Sequence, residues 1–405
     1  MALFLYNGAK EYSYEMLVDS INQHREYFPL YKTDDLFAYF ENLVKAIAAG
    51  RPLTLLDSDL SISEIEGLDN GAVNVPVKLD ETTYSSLDAL VAAVLDSSSE
   101  ITIFTSGTTG QPKKVVHSIS TLTRAVRVSQ GHTDDIWAYA YNPTHMAGLQ
   151  VFFQAFANKN TLVNVFNLQR NDVYRNIAAH GVTHISATPT FYRLLLPYEQ
   201  PYLNVKRVTL GGEKSGTQLY DNIRLIFPNA KINNVYASTE AGSLFAAKGD
   251  CFQLPAGLRD KFRVVDEELL IHNSLLGRSD SFKLDGEFYH SGDLIEWVDE
   301  ANGCFRFKSR KNELINVGGY KVNPSEVEEA IDAIDGVRQS LVYGKPNSVL
   351  GNIVVAEVLR EEGSALTDVD IRKSLRDKLQ DFKIPRKIIF VEEFTLTRTG
   401  KIKRL

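Results

Sequence analysis

Residues 101–115 form the part of the chain best suited to hold a polyphosphate. An apolar run is followed by small hydroxyl residues, two glycines and two lysines. Glycine lets the backbone approach phosphate oxygens, hydroxyl groups donate hydrogen bonds, and lysine adds positive charge. The spacing of a Walker A loop is missing, so composition alone also allows an ordinary surface turn. The candidate phosphate-binding residues are Thr105, Ser106, Gly107, Thr108, Thr109, Gly110 and Lys113.

This candidate loop lies within a regular alternation of strands and helices. Short apolar runs are separated by segments long enough to hold a crossover helix, and this alternation predicts an α/β domain with a largely parallel sheet. The predicted strands are residues 101–104, 136–141, 161–166, 182–187, 205–210 and 232–235.

The pattern changes after about residue 269 to turn-rich, antiparallel segments, and the last hundred residues predict a separate small α+β domain. We place the boundary in the polar segment 309–313, which gives a large domain, 1–309, and a small domain, 310–405. The elements predicted for the small domain are a helix with a capping box at Ser325 and Glu328, strands at 337–343 and 353–359, a helix from Thr367, and a strand at 387–391.

Composition excludes several classes of protein. The chain has 405 residues and a formal net charge of −7, which argues against nonspecific nucleic-acid binding, since that needs clustered cations. No apolar stretch approaches the roughly 20 residues of a membrane helix, and residues 1–12 lack a secretory signal pattern. Cys251 and Cys304 suggest no disulfide framework. We therefore expect a cytoplasmic protein without a membrane partner, whose stability needs neither a disulfide nor a structural metal.

Seven short motifs occur in a fixed order along the chain. They are TSGTTGQPK at 105–113, GGE at 211–213, YASTE at 236–240, SGD at 291–293, SR at 309–310, GGYKVNPSEVE at 318–328 and TRTGK at 397–401. Together they resemble the adenylate-forming (AMP-binding) superfamily of acyl- and aryl-CoA ligases, peptide-synthetase adenylation domains and luciferases. The resemblance runs from residue 101 onward. Residues 1–100 carry no family motif and look shorter than the corresponding region of the family.

The resemblance implies a role for each motif residue. Glu240, beside Thr239, would bind Mg²⁺, which prefers hard oxygen ligands shared with phosphates. Tyr236 would stack on adenine, next to the loop of Gly211, Gly212 and Glu213. Asp293 and Arg310 would hold the ribose hydroxyls as an acceptor and a fixed donor fork. Taken singly, these residues are more often solvated acids, core aromatics or turn formers.

The resemblance makes Lys401 the expected catalytic lysine. A carboxylate attacks the α-phosphorus of ATP, pyrophosphate leaves, and the positioned ammonium stabilises charge that grows in the transition state. The small domain is implied to be mobile and to rotate about Asn312, where the family usually has Asp or Lys, before a thiol attacks the acyl-adenylate. Lys114 and Ser309 replace common glycines, but neither change removes a charged catalytic group.

The acid-binding pocket is implied by a second group of residues. Residues 142–148, NPTHMAG, resemble a segment near the acyl pocket of CoA ligases, and His145 is either a pocket residue or a hydrogen-bonded core histidine. No aspartate that could pair with a substrate ammonium occurs between 141 and 148, which disfavours a free amino acid. The implied pocket residues are His145, Gly148, Ala241 and Gly242.

The sequence thus predicts an ATP- and Mg²⁺-dependent ligase that joins a small aryl or aliphatic carboxylic acid to coenzyme A through an acyl-adenylate. Two alternatives remain at this point. The thiol acceptor could be the phosphopantetheine of an acyl carrier protein, or the chain could be a catalytically silent nucleotide-binding regulator. Neither the acid nor an oligomeric state follows from the residues.

Overall fold

The computed structural model describes residues 2–58, 65, 67–105, 112–213, 215–248, 251–397 and 402. They divide into two compact units. The first unit comprises residues up to 247 together with 272–283, and the second comprises 248–271 and 284–397. The predicted boundary between 309 and 310 falls inside the second unit and stays a prediction about which residues move together.

The first unit is built from alternating strands and helices. Its helices are α1 (Tyr14–Gln23), α2 (Leu36–Ala48), α3 (Leu87–Leu95), α4 (Ile119–Thr123), α5 (Met146–Ala157), α6 (Arg170–Ala179), α7 (Pro189–Leu194) and α8 (Thr217–Ile226), with short 3-10 turns at Asn70–Ala72, Gln130–His132 and Asn273–Leu275. Its strands are β1 (Leu3–Asn7), β2 (Lys10–Ser13), β3 (Glu26–Tyr27), β4 (Leu30–Tyr31), β5 (Leu53–Leu55), β6 (Val77–Lys78), β7 (Glu100–Thr105), β8 (Lys113–Ser118), β9 (Ile136–Tyr139), β10 (Thr161–Asn164), β11 (His184–Ala187), β12 (Arg207–Gly211), β13 (Lys231–Ser238) and β14 (Gly242–Lys248).

The predicted parallel sheet is confirmed. Strands run in the order β14-β13-β12-β11-β9-β10-β1-β2, and every pair from β13 to β1 is parallel. A second sheet has the order β4-β5-β7-β8 and ends in the antiparallel pair β7-β8, while β3 and β6 form a two-stranded antiparallel sheet. Alternate strand residues enter two apolar clusters: Tyr139 and Leu162 pack with α2 and α5 in one, and Ala138 and Val163 pack with α6 and α8 in the other. Strands buried on both faces read as continuous apolar runs.

The first hundred residues, which carry no motif, are integral to this unit. Strand β1 extends the parallel sheet next to β10. The ring of Phe40 on α2 stacks on Phe152 of α5 with centroids 4.8 Å apart, and neither side chain is exposed to solvent. Burying an aromatic pair of this kind contributes several kcal/mol. These residues therefore build the core beneath the motif-bearing strands.

The second unit starts with antiparallel strands, as predicted. These are β15 (Cys251–Gln253), β16 (Phe262–Val265), β17 (Glu268–His272), β18 (Leu284–Asp285), β19 (Phe288–Asp299) and β20 (Cys304–Arg310), in the order β16-β17-β19-β20-β15 with β18 beside β19, and a 3-10 turn at Ala256–Lys261. Cys251 and Cys304 form a disulfide bond. The two cysteines suggest no disulfide framework in the sequence, and this single bond escapes prediction because the pairing of β15 with β20 brings together residues 53 positions apart.

The predicted α+β arrangement of the last hundred residues is confirmed. Its elements are β21 (Ile315–Val317), β22 (Tyr320–Val322), α9 (Pro324–Asp332), β23 (Val337–Asn347), β24 (Gly351–Arg360), α10 (Asp368–Arg376) and β25 (Lys387–Val391), with a 3-10 turn at Asp381–Lys383. The predicted capping box at Ser325 and Glu328 is wrong. Asn323 caps α9 by accepting from the Ser325 amide, and the Glu328 carboxylate accepts instead from the Val342 amide. No helix in the described part of the chain is long and apolar enough to cross a bilayer.

Candidate functional site

The phosphate-loop candidate connects two paired strands. Strand β7 ends at Thr105, whose backbone is paired with Lys113 at the start of β8. Lys113 is half-buried, so its stem lies along protein surface while its ammonium group can remain near solvent. The predicted phosphate ligands Ser106, Gly107, Thr108, Thr109 and Gly110 lie outside the described residues.

Strand β8 is attached to the predicted magnesium-binding segment through a buried histidine. The Nε2 atom of His117 lies 2.8 Å from the carbonyl oxygen of Thr239. On the other side of this segment, the amide of Gly277 donates to the carbonyl oxygen of Glu240 over 2.8 Å. Two consecutive carbonyl groups, those of Thr239 and Glu240, are therefore fixed from two directions.

The protonation of His117 follows from this contact. A carbonyl oxygen only accepts, so Nε2 carries the hydrogen and Nδ1 does not. Burial lowers the pKa of His117 to about 4, the hydrogen bond to Thr239 acts in the opposite direction, and the charge of Arg124 lowers it further. The imidazole is neutral at physiological pH. The ring fits because position 277 is glycine: a Cβ there would stand 2.5 Å from His117 Cε1.

The Glu240 carbonyl oxygen is hydrogen-bonded, but its carboxylate has no such partner among the described residues. The carboxylate makes no hydrogen bond or ion pair with any residue that the structure describes. Because its backbone is fixed and its carboxylate has no described partner, Glu240 is suited to bind a hard cation. The next residue, Ala241, is buried, and its carbonyl oxygen accepts a long hydrogen bond of 3.4 Å from Arg124.

The loop after β12 holds the predicted Gly211, Gly212 and Glu213. Gly212 has a positive φ of 81°, a conformation that glycine adopts without strain. The Glu213 carboxylate accepts from the Thr190 hydroxyl at 2.8 Å through Oε2. Its Oε1 atom is buried and has no hydrogen-bond partner among the described residues. A buried acceptor without a partner is costly, so this oxygen is available to a donor on a bound molecule.

Tyr236, the predicted adenine-stacking ring, is mostly buried on β13. It stacks on Phe245 of β14 with centroids 4.9 Å apart and planes 9° apart. The two residues are directly opposite each other in the antiparallel pair, and such cross-strand aromatic pairs stabilise a sheet. Phe245 therefore fixes the orientation of the tyrosine ring.

The predicted pocket residue Gly242 lies against α5. Its φ is positive, and a Cβ would stand 2.8 Å from Nε2 of Gln150. The hydroxyl group of Ser243 donates to Oε1 of the same glutamine over 2.9 Å. Gly242 thus permits a close approach between β14 and α5, and Gln150 joins the two elements.

His145 and Gly148 lie at the start of α5, together with an aspartate that was not predicted. His145 Nε2 is 3.6 Å from Oδ2 of Asp57, and the Asn142 side chain donates to the same oxygen over 2.7 Å. A Cβ at Gly148 would stand 2.3 Å from the Asn142 carbonyl oxygen, so the helix requires glycine there. A carboxylate therefore does lie beside the 142–148 segment, although it comes from the end of β5.

In the second unit, the two predicted ribose-binding residues are paired with each other. Asp293 and Arg310 are opposite residues on β19 and β20, and Arg310 Nε lies 2.9 Å from Asp293 Oδ1. Asp293 is buried, whereas half of the Arg310 side chain is exposed. The pair therefore places a carboxylate acceptor and a guanidinium donor side by side on neighbouring strands.

The residues before the predicted hinge are held firmly. The Lys311 amide donates to the Gly292 carbonyl oxygen over 2.8 Å, and its ammonium group lies 2.9 Å from the buried Glu268 carboxylate. Burial raises the pKa of Glu268, but hydrogen bonds from Lys311, His290 and the Gly292 amide outweigh it, so that the pKa is lowered. Asn312, the residue after the anchored Lys311, is exposed to solvent.

The predicted catalytic residue Lys401 lies outside the described residues. Leu396 and Ile402, on either side of it, form an isolated antiparallel bridge.

Three residues of the site, Asp57, His117 and Glu268, belong to no recognised motif. Each is a polar residue in or next to an apolar strand, at positions 57, 117 and 268. Such placement is an available signal, because a buried polar group needs a partner. The partners themselves lie 85, 122 and 43 residues away, and a motif search does not detect contacts at those separations.

Two family models match the chain. The model of the AMP-binding enzyme matches residues 60–269, more than half of the chain, and that of the AMP-binding enzyme C-terminal domain matches residues 326–401.

The chain is also similar to characterised CoA ligases and to solved structures. A substituted indenyl-propanoyl:CoA ligase of Mycobacterium tuberculosis is 27% identical over 393 residues, covering 85% of this chain and 76% of that protein. A 2-succinylbenzoate–CoA ligase of Staphylococcus epidermidis is 25% identical, covering 75% of this chain and 68% of that protein. The structure of ATP-bound MatB from Rhodopseudomonas palustris superposes with a TM-score of 0.74 at 19% identity, covering 99% and 94% of the two chains. This last similarity establishes the fold.

Proposed function

Because this chain belongs to the family of AMP-binding enzymes, we propose that it is an ATP-dependent carboxylic acid:CoA ligase. In the first step the acid carboxylate attacks the α-phosphorus of ATP, giving an acyl-adenylate and pyrophosphate. In the second step the CoA thiol attacks the acyl carbonyl, giving a thioester and AMP. The CoA ligases named above support thioester formation as the second step.

One observation carries the proposal most directly. The strand that leaves the phosphate-loop candidate, β8, is bonded through His117 to the Thr239 carbonyl, and Gly277 holds the next carbonyl, that of Glu240. This arrangement presents the Glu240 carboxylate on a fixed backbone. Electrostatic catalysis requires such preorganisation, because groups that are already in place need no rearrangement as charge develops.

Mg²⁺ fits the donor set at Glu240. The carboxylate is a hard oxygen ligand without a described partner, and Mg²⁺ uses one or two such ligands together with substrate phosphates and water. The ion, when bound, supplies positive charge to the phosphate oxygens. Glu240 would hold it, and the segment fixed by His117 would keep the carboxylate in position.

We assign the adenine ring to residues of the first unit and the ribose hydroxyls to residues of the second. Glu213 Oε1 is a buried acceptor without a described partner and suits an amino group such as that of adenine. Tyr236 offers an aromatic surface whose orientation is fixed by Phe245. Asp293 and Arg310, paired at 2.9 Å, suit ribose hydroxyls, which both donate and accept.

The acid would lie near α5 and β14. Ala241 and Gly242 are small, and Gln150 bonds Ser243 nearby, so this region offers apolar surface with few polar groups. The relatives act on acids with a fused-ring or aromatic body. We therefore assign an acid with an aryl or aliphatic body to this chain.

The test is carboxylate-dependent exchange of labelled pyrophosphate into ATP over a panel of aryl, cyclic and aliphatic acids, followed by AMP release with CoA or with loaded carrier proteins. We expect exchange with at least one acid, and AMP release with CoA. Glu240→Gln should lower exchange by about 100-fold, the loss typical of removing one transition-state stabiliser, while Glu15→Gln on α1 serves as a control. ATP binding without exchange on any acid would favour a silent nucleotide-binding protein, and AMP release only with carrier proteins would identify a carrier-loading enzyme.

A further inference from the structure

Three side chains at the amino ends of strands β9 and β11 converge outside the site described above. His132, Asp135 and His184 each offer one ligand atom, and these atoms lie within 4.8 Å of one another. Nδ1 of His132 is 2.8 Å from one carboxylate oxygen of Asp135. Nδ1 of His184 is 3.5 Å from the other oxygen. One carboxylate thus lies between two imidazoles.

The cluster is largely sealed from solvent. The Asp135 and His184 side chains are 7% and 6% exposed, and that of His132 is 27% exposed. A carboxylate at this depth needs compensation of its charge. His132 leaves one side open, and through that side an ion could enter.

Surrounding residues fix the positions of the two histidines. The Asn160 side chain, itself buried, donates to the His132 carbonyl oxygen over 2.6 Å and accepts from Trp137 Nε1 at 3.3 Å. The Trp137 ring packs on His184 with centroids 4.7 Å apart. Thr183 Oγ1 lies 2.8 Å from His184 Nδ1, and with a metal on that nitrogen the hydroxyl would donate to the Ile136 carbonyl oxygen instead. Metal sites depend on such surrounding hydrogen bonds to orient their ligands.

We propose that His132, Asp135 and His184 bind a divalent transition-metal ion of the zinc type. Tetrahedral zinc with bonds of about 2.0–2.1 Å has ligand atoms roughly 3.3 Å apart. The two imidazoles lie 2.8 and 3.5 Å from different oxygens of the Asp135 carboxylate, so small side-chain rotations within the 4.8 Å cluster would bring three ligand atoms to that spacing. Two imidazoles and one carboxylate favour zinc over Mg²⁺, which prefers oxygen ligands. A water molecule completes the fourth position.

The proposed metal site lies at the opposite edge of the parallel sheet from the motif residues assigned to the reaction. The motif residues Glu213 and Thr239 follow the carboxyl ends of β12 and β13, whereas Asp135 precedes β9 and His184 begins β11. Carboxyl and amino ends of parallel strands lie at opposite edges of the sheet. The ion would therefore act as a clamp that ties the 130–135 turn to β11. Arg207 lies opposite His184 in the strand register, and its positive charge should weaken zinc binding relative to a site without a nearby cation.

The test is isothermal titration of the full chain with Zn²⁺, without a polyhistidine tag, without thiol reagents, and with Mg²⁺ in the buffer. We expect one ion per chain and a higher midpoint of thermal unfolding with Zn²⁺. Co²⁺ serves as a spectroscopic probe, and visible absorption of a four-coordinate type is expected. ATP and acid are absent, so the outcome does not depend on the proposed function.

His132→Ala and Asp135→Asn each remove one ligand. Both should weaken Zn²⁺ binding by at least about 100-fold, the upper end of what loss of a surrounding partner causes. His24→Ala, which removes a histidine with a 65% exposed side chain, should bind Zn²⁺ like the unchanged chain. Equal Zn²⁺ affinity in the unchanged chain and in His132→Ala would overturn the proposal and leave a hydrogen-bonded triad. If circular dichroism shows that Asp135→Asn does not fold, the Zn²⁺ affinity of His132→Ala decides the test, because His132 is partly exposed and its loss should not prevent folding.

Discussion

The Nε2 atom of His117 lies 2.8 Å from the carbonyl oxygen of Thr239, although 122 positions separate the two residues. Through this bond the strand that follows the phosphate-loop candidate supports the Thr-Glu segment of the family. His117 makes no contact with substrate in this assignment; it acts as a positioning residue.

Replacing His117 by Phe keeps the ring volume and removes the donor. We expect adenylation to fall by about tenfold, because one hydrogen bond is worth roughly 0.5–1.5 kcal/mol, and the Mg²⁺ concentration for half-maximal rate to rise. His117→Gln retains an N–H at the end of the side chain and should recover most of the activity. Pyrophosphate exchange at varied Mg²⁺ measures both effects, and an unchanged Mg²⁺ requirement in the Phe variant would assign His117 to packing alone.

His117 also predicts a specific dependence of stability on pH. Its pKa is about 4 in the folded chain and about 6.5 when unfolded, so the unfolded state takes up a proton first as the pH falls. Stability is fully present above about pH 6.5 and is lost progressively toward pH 4. At pH 5 the loss should be about 2 kcal/mol relative to pH 8. Urea unfolding of the unchanged chain and of His117→Gln should show this difference, and parallel pH curves would contradict it.

Lys401→Ala should lose about 100-fold or more in adenylation, as when one preorganised transition-state donor is removed. Thioester formation from supplied acyl-adenylate should change much less, because the lysine is expected to serve only the first step. Lys403→Ala is the neighbouring charge control. The two half-reactions are measured by pyrophosphate exchange and by thioester formation, and equal losses in both would make Lys401 structural.

Asn312→Pro tests the hinge. Lys311 is anchored to Gly292 and Glu268, so a backbone rotation has to begin after it, and proline fixes φ at about −65°. Thioester formation should slow by an order of magnitude or more while pyrophosphate exchange continues. Asn312→Ala should leave both rates close to normal; if it behaves like the Pro variant, the side chain rather than the backbone matters.

Asp57→Asn tests the unpredicted carboxylate. Asp57 accepts from Asn142 over 2.7 Å, and Asn142 in turn accepts from the Thr144 amide and hydroxyl group. Weakening this anchor should raise the KM for the acid several-fold, since a net hydrogen bond is worth about 1 kcal/mol, and leave the KM for ATP unchanged. Asp19→Asn on the exposed side of α1 is the matched control. A change in both KM values would indicate general loss of structure.

The parallel sheet could be predicted because β9 to β13 are short apolar runs with helix-length connections, and both features are local. The adenylate-forming motifs could be recognised for the same reason, since each is contiguous. The predicted cap of α9 failed because Glu328 has a competing partner, the Val342 amide, which sequence spacing does not reveal.

Contacts between distant strands could not be predicted. Asp57 meets Asn142 only because the end of β5 lies beside the start of α5, whereas residues 141–148 themselves contain no aspartate. Likewise, Gly277 looks like a turn residue, yet its lack of a side chain makes room for the His117 ring. Such residues gain their function from the tertiary fold.

The link between Cys251 and Cys304 makes the redox state of the sample a variable in any measurement of stability. The bond closes a loop of 53 residues that contains Asp293, and the chain-entropy model assigns about 4 kcal/mol to such a closure. Samples prepared with and without dithiothreitol should therefore melt at different temperatures. Melting temperatures of variants should therefore be compared with the Cys251–Cys304 bond either formed in all samples or reduced in all samples.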